Sequence, residues 1–132
     1  MNPSRRTVLV ASVLTLTACR EKAPAEVDPD VAIRAAALQR ELDLQAAYDS
    51  VMRLHPALAS RLQPLAADKA AHVAALGPAA PTTSTASTLA ALKVLEGSTA
   101  TAHGRAALTA SRALAPLLAS LSASSACAVA AL

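Results

Sequence analysis

Tyr48 is the only aromatic residue of this 132-residue chain, which has neither Phe nor Trp. A core must therefore be assembled from Leu, Val and Ala, a choice that favours closely packed helices. Each buried Ala removes little apolar area from water, so the stability expected is modest. The same lack of rings argues against stacking platforms for nucleic-acid bases or sugars.

The spacing of the apolar residues points the same way. Residues 31–55 carry Ile33, Ala37, Leu38, Leu44, Tyr48, Val51 and Met52 at steps of three and four, the seam of an amphipathic helix. Asp28 or Asp30, around Pro29, caps its start. His55-Pro56 makes a corner, because the residue before Pro avoids helix. A second helix follows to Leu76, with Leu58, Leu62, Leu65, Lys69, His72, Val73 and Leu76 in its seam. Pro64 inside it predicts a kink or a broken first turn, and Gly77-Pro78 ends it. Residues 77–87 (GPAAPTTSTAS) have no apolar period and read as a connection long enough to cross a bundle, a plain flexible link or a glycosylated one.

Thr88 or Ser87 caps a third helix that runs to about Thr109, with Leu89, Leu92, Leu95, Glu96, Thr99, His103 and Ala106 on one side. Gly97 and Gly104 each weaken it by about 1 kcal/mol relative to Ala, but let another helix approach. A fourth helix covers about 111–132 with Leu114, Leu117, Leu118, Leu121, Ala128 and Leu132 inward; Pro116 allows a start as late as Ala115. The fold class expected for residues 31–132 is all-α: a four-helix bundle with a long crossover between helices two and three.

Several polar residues break the apolar stripes. At about 100° per residue, Glu41 falls among Ala37, Leu38, Leu44 and Tyr48, where an unpaired carboxylate costs desolvation. Lys69 and His72 fall on the apolar side of the second helix, with Asp68 within reach of His72. Glu96 and His103 share the buried side of the third.

The first nineteen residues concern address rather than fold. Arg5 and Arg6 precede an uncharged run over residues 7–18, too short to span a bilayer, which needs about 20 apolar residues. Leu16-Thr17-Ala18-Cys19 resembles a bacterial lipobox: an aliphatic residue, two small ones, then a cysteine that takes lipid. Residues 4–9 (SRRTVL) also resemble a twin-arginine export motif; an ordinary basic leader of the general secretory route is the alternative. The expectation is a lipoprotein signal peptide over 1–18, lipid (a palmitate-type acyl group among it) on Cys19, a flexible tether over 19–30, and attachment to the outer side of the cell membrane. Acyl chains contribute about 0.8 kcal/mol per buried methylene, so two or three of them anchor stably. Removing residues 1–18 takes two arginines from the 12 Lys and Arg, leaving ten against nine Asp and Glu. That near-neutral balance argues against a nucleic-acid partner. With Cys19 lipidated, Cys127 is unpaired and reads as a small buried apolar residue.

The first helix with Glu41 in mid-seam, residues 55–62 (HPALASRL), 68–76 (DKAAHVAAL) and 114–121 (LAPLLASL) together resemble small ferritin-like domains of actinobacterial exported lipoproteins. Metal-binding members of that superfamily use a Glu from each of two helices and a Glu-x-x-His pair from each of the others. Carried over, the resemblance makes Glu41 and Glu96 the single glutamates and His72 the second-helix histidine. Lys69 stands where a carboxylate is implied, and Ser125 and Ala128 stand where the fourth helix would supply Glu and His. The resemblance thus implies a bundle with a degenerate site, binding no metal and no cofactor.

Glu41, Lys69, His72 and Glu96 then form a remnant polar site. In the structural reading Lys69 sits between Glu41 and Glu96 and neutralises both, or snorkels to solvent. In the sharper reading Glu41, His72 and Glu96, with His103, hold a single zinc or iron ion. His103 is otherwise a hydrogen-bonded core histidine, and His55 a surface residue. No G-x-S-x-G, Walker, C-x-x-C or H-E-x-x-H pattern occurs. The function expected is a non-enzymatic, membrane-anchored binding or structural protein of the envelope, with a protein partner there; the alternative is a metal-binding or redox envelope protein.

Overall fold

The computed structural model describes residues 28–78 and 80–132. The leader with Arg5 and Arg6, the lipobox, Cys19 and most of the tether lie outside the described residues. Within them all regular structure is helical, and four helices pack together: α1 (Pro29–Leu54), α2 (Ala59–Leu76), α3 (Leu89–Thr109) and α4 (Ala115–Ala131).

Helix α1 begins two residues before the expected seam, because Asp28 accepts from the Asp30 amide at 2.9 Å and Pro29 suits the first turn. It ends at Leu54, and His55 leaves helical geometry ahead of Pro56. A single 3₁₀ turn, Pro56–Leu58, turns the chain into α2. Helix α2 is continuous through Pro64, which is exposed, so its first turn is not broken there; the 3₁₀ turn ahead of it begins at Pro56 instead. Gly77 closes α2 at φ 132°, a left-handed conformation open to glycine. Thr88 caps α3 by accepting from the Ala91 amide at 3.1 Å. Helix α4 starts at Ala115 because Ser111 holds the preceding turn, its hydroxyl accepting from the amides of Ala113 and Leu114.

Helices α1 and α2 form one hairpin and α3 and α4 the other, joined face to face through α1 and α3. Gly104 explains part of the close approach of α3 to α4: a Cβ there would stand 3.2 Å from Ser122 Oγ, which donates to the Ala100 carbonyl at 2.7 Å. Small residues thus let a side chain of α4 bond the backbone of α3. Asp30 ties the two hairpins at one end, accepting from both the amide and the hydroxyl of Ser111.

Residues 80–88 lie against α1. Thr82 donates to Asp43 at 3.3 Å, and His55 Nε2 meets the Ser87 carbonyl at 2.8 Å. This cover accompanies burial of Leu42 and Ser50, two residues of α1 outside its expected seam. Cys127 is exposed rather than buried. The inward face of α4 runs through Leu118, Leu121, Ser125 and Ala128, and Cys127 lies about 200° round from Ser125.

The apolar interior has two parts. One holds Leu44, Ala47, Tyr48, Val51, Leu62 and Leu92; the other Ala37, Leu76, Leu114, Leu118 and Leu121. Full burial of each Leu contributes about 1.5–3 kcal/mol. Between them, along every helix, lies a polar layer.

Candidate functional site

The layer takes residues from all four helices: Glu41 and Tyr48 from α1, Lys69 and His72 from α2, Glu96 and His103 from α3, and Ser125 from α4. Each enters at a seam position, so helical periodicity alone turns it inward. Glu41, Glu96 and Ser125 are fully buried, Lys69 and His103 nearly so.

Lys69 Nζ donates to Glu96 Oε2 at 3.0 Å and to Ser125 Oγ at 3.0 Å. Tyr48 donates its hydroxyl to the other oxygen, Glu96 Oε1, at 2.7 Å. Burial pushes the Tyr48 hydroxyl well above its ordinary range, and the adjoining Glu96 carboxylate pushes it further. Tyr48 therefore serves as a donor and not as a phenolate.

Glu41 is held separately. His72 Nδ1 lies 3.0 Å from Oε2 and His103 Nε2 lies 2.8 Å from Oε1. Burial raises the Glu41 pKa, but hydrogen bonds from His103 and His72 and the Lys69 charge outweigh it, lowering the value from 4.5 to about 2. An ionised carboxylate can only accept, so Nδ1 of His72 and Nε2 of His103 carry the protons.

The structure thus brings Glu41, Lys69, His72 and Glu96 into one layer, with a different pairing from the one expected. Lys69 bonds Glu96 and Ser125, and reaches Glu41 only through its field. Two histidines take its place as hydrogen-bond donors to Glu41. Lys69 does not snorkel; it ends inside the bundle. His72 turns Nδ1 to Glu41 on another helix rather than to Asp68 on its own.

Two members escaped the sequence reading as participants. Tyr48 had been assigned only to the apolar seam, although a buried hydroxyl on the sole aromatic residue requires a partner. Ser125 had been noted only for what it fails to supply; its hydroxyl gives Lys69 a second acceptor.

All four carboxylate oxygens of Glu41 and Glu96 accept a bond from a protein group, and no buried side-chain nitrogen or oxygen among the described residues lacks a partner. A two-metal ligand set does not fit here. The layer holds two carboxylates beside one ammonium, and α4 contributes a hydroxyl and no carboxylate. Nor do three or more His, Cys, Asp or Glu among the described residues group in a way that could hold a metal ion. No described helix is long and apolar enough to cross a membrane. Comparison with family models, curated proteins and solved structures found no match to the chain.

Proposed function

We propose that this chain is an exported lipoprotein, attached to the membrane through lipid on Cys19, whose ferritin-like bundle carries a buried ion-pair layer in place of a metal centre. It acts without catalysis, as a binding or structural element of the envelope. The observation that carries this reading is the position of Lys69 Nζ, 3.0 Å from both Glu96 and Ser125, at the heart of the four helices. The contacts of Thr82 with Asp43 and of Ser87 with His55 support a crossover running along α1, as in ferritin-like connectivity. The lipobox pattern of residues 16–19 supports the anchor, and Arg5-Arg6 the twin-arginine route of export.

A metal or redox site is the competing reading, and Glu41 between two imidazoles is what favours it. It would have to break both bonds that hold that carboxylate. One preparation tests both. Protein extracted from its native membrane should carry acyl groups on Cys19 by mass spectrometry and no stoichiometric iron, manganese or zinc by elemental analysis. An unmodified Cys19 rejects the anchor, and a full equivalent of metal rejects the ion-pair layer.

A further inference from the structure

Residues 80–87 form neither helix nor turn, and from Pro81 onward their exposure alternates. Pro81, Thr83, Thr85 and Ser87 are exposed, while Thr82, Ser84 and Ala86 are half-buried. Alternation at every second residue marks an extended backbone. The inner side is fully engaged. Thr82 donates to Asp43 at 3.3 Å, the Ser84 hydroxyl accepts from the Ala86 amide at 3.1 Å, and Ala86 packs on the core that holds Tyr48. The outer side is free. The hydroxyls of Thr83 and Thr85 bond no group among the described residues, and residues 80–86 make no backbone–backbone hydrogen bond there. Thr85 also borders an open groove of about 590 Å³ along α3, so a bulky group attached to it has room.

Proline among Ser and Thr is the composition of O-glycosylated segments. No charged residue lies between Leu76 and Lys93, and no Ser or Thr there precedes a Pro. The segment therefore lacks the charge pattern by which kinases choose a substrate. We propose that Thr83 and Thr85 are acceptors for O-linked neutral sugars, a hexose on each. In the transfer, threonine Oγ1 bonds to the anomeric carbon of a sugar carried as a glycosyl phosphate. The bond from that carbon to the phosphate oxygen breaks, the phosphate leaves on its lipid carrier, and the hydroxyl proton passes to a base of the transferase. An extended peptide with unpaired backbone groups is a form that an enzyme groove can take up as an added strand. Ser87 faces outward too, but His55 holds its carbonyl at 2.8 Å and the next residue, Thr88, caps α3, so the chain around it is tied down. The inference rests on the export reading, which brings the chain to lipid-linked sugar donors, and not on the metal content of the layer.

Lys69 and Lys93 bound a single tryptic fragment, residues 70–93, that contains the whole segment. Mass spectrometry of that fragment, from full chain purified out of its native membrane, should show one or two added hexoses. Electron-transfer fragmentation should place them on Thr83 and Thr85. The double variant Thr83→Val with Thr85→Val changes exposed positions only, and its fragment should come back bare. The proposal is overturned by a bare fragment from the parent, by phosphate in place of sugar, by sugar confined to Thr82, Ser84, Ser87 or Thr88, or by sugar that persists in the double variant. The same digest reports Cys19. A bare fragment beside an acylated Cys19 overturns the acceptor site alone, and a sugar-bearing fragment beside an unmodified Cys19 supports the acceptor site while rejecting the anchor.

Discussion

Lys69 Nζ and Glu96 Oε2 lie 3.0 Å apart, on helices of different hairpins, with 1% and 0% of their side chains exposed. Neither charge can retreat to water, so each is tolerated only because the other is present. Such a pair specifies how the hairpins meet more than it stabilises them, since desolvation offsets most of the attraction.

Removing one partner should therefore be severe. Lys69→Ala leaves the Glu96 carboxylate and the Ser125 hydroxyl without their donor and should cost about 3–5 kcal/mol. The double variant Lys69→Met with Glu96→Gln discards both charges and should recover at least half of that loss. Urea unfolding of the single and double variants measures the difference. A single variant within about 1 kcal/mol of the parent would mean that Glu96 finds solvent.

Tyr48→Phe isolates the second bond to the same carboxylate. The ring still fills its place among Leu44, Val51, Leu62 and Leu92, while Glu96 Oε1 loses its donor at 2.7 Å. A cost of about 1–3 kcal/mol is expected, the penalty of an unsatisfied buried acceptor. Denaturation midpoints should fall with little change in slope; a neutral result would show that water replaces the hydroxyl.

Acid should unfold the protein partly through Glu41. Burial works to raise its pKa, and the histidine bonds and the Lys69 charge reverse that, holding the folded value at about 2 against 4.5. Because the folded value is the lower, the unfolded chain takes up the proton first. The stabilisation is whole above about pH 4.5 and disappears as pH falls through about 2, amounting to roughly 3 kcal/mol at most. Stability measured across that window should decline, and Glu41→Gln should flatten the decline. An equally steep acid limb in the variant would assign it to other carboxylates.

The two glycines of α3 separate helix propensity from helix packing. At Gly97 an added Cβ meets Val129 at 3.9 Å, an ordinary contact, whereas at Gly104 it meets Ser122 Oγ at 3.2 Å. Gly97→Ala should gain about 0.5–1 kcal/mol from propensity alone. Gly104→Ala should gain less or lose, because Ser122 must yield while bonded to the Ala100 carbonyl. Thermal melts that rank Gly104→Ala above Gly97→Ala would contradict the close approach described.

The helices were legible because their signals are local. Steps of three and four, the Asp28 cap, the His55-Pro56 corner and Gly77 all act within a turn or two of themselves. The inward direction of Glu41, Lys69, His72, Glu96 and His103 followed from the same periodicity. Their partners did not. A seam position states which side of a helix a group is on, but not its height against a neighbouring helix or how far its side chain reaches. Lys69 had two glutamates to choose between, and only packing places its nitrogen beside Glu96 and Ser125. His72 had an obvious partner one turn back in Asp68 and takes Glu41 across the interface instead. Leu42 is buried outside the expected seam for a related reason: residues 80–88 cover a side of α1 that two-faced helix patterns treat as wet. The exposure of Cys127 was open to the same periodicity, since it stands off the line through Ser125 and Ala128.

The bonds from Tyr48, Lys69 and Glu41 to Glu96 and His103 all run from the first hairpin to the second. An α3–α4 hairpin by itself would leave Glu96 and His103 with nothing opposite them. The scheme asks only that a complementary hairpin be present, and a hairpin donated by a second molecule satisfies it as fully as the molecule's own. The length of the 77–88 segment and the course of residues 80–88 are then what keep the exchange within one chain, and shortening that segment would favour a swapped dimer with every buried charge still matched.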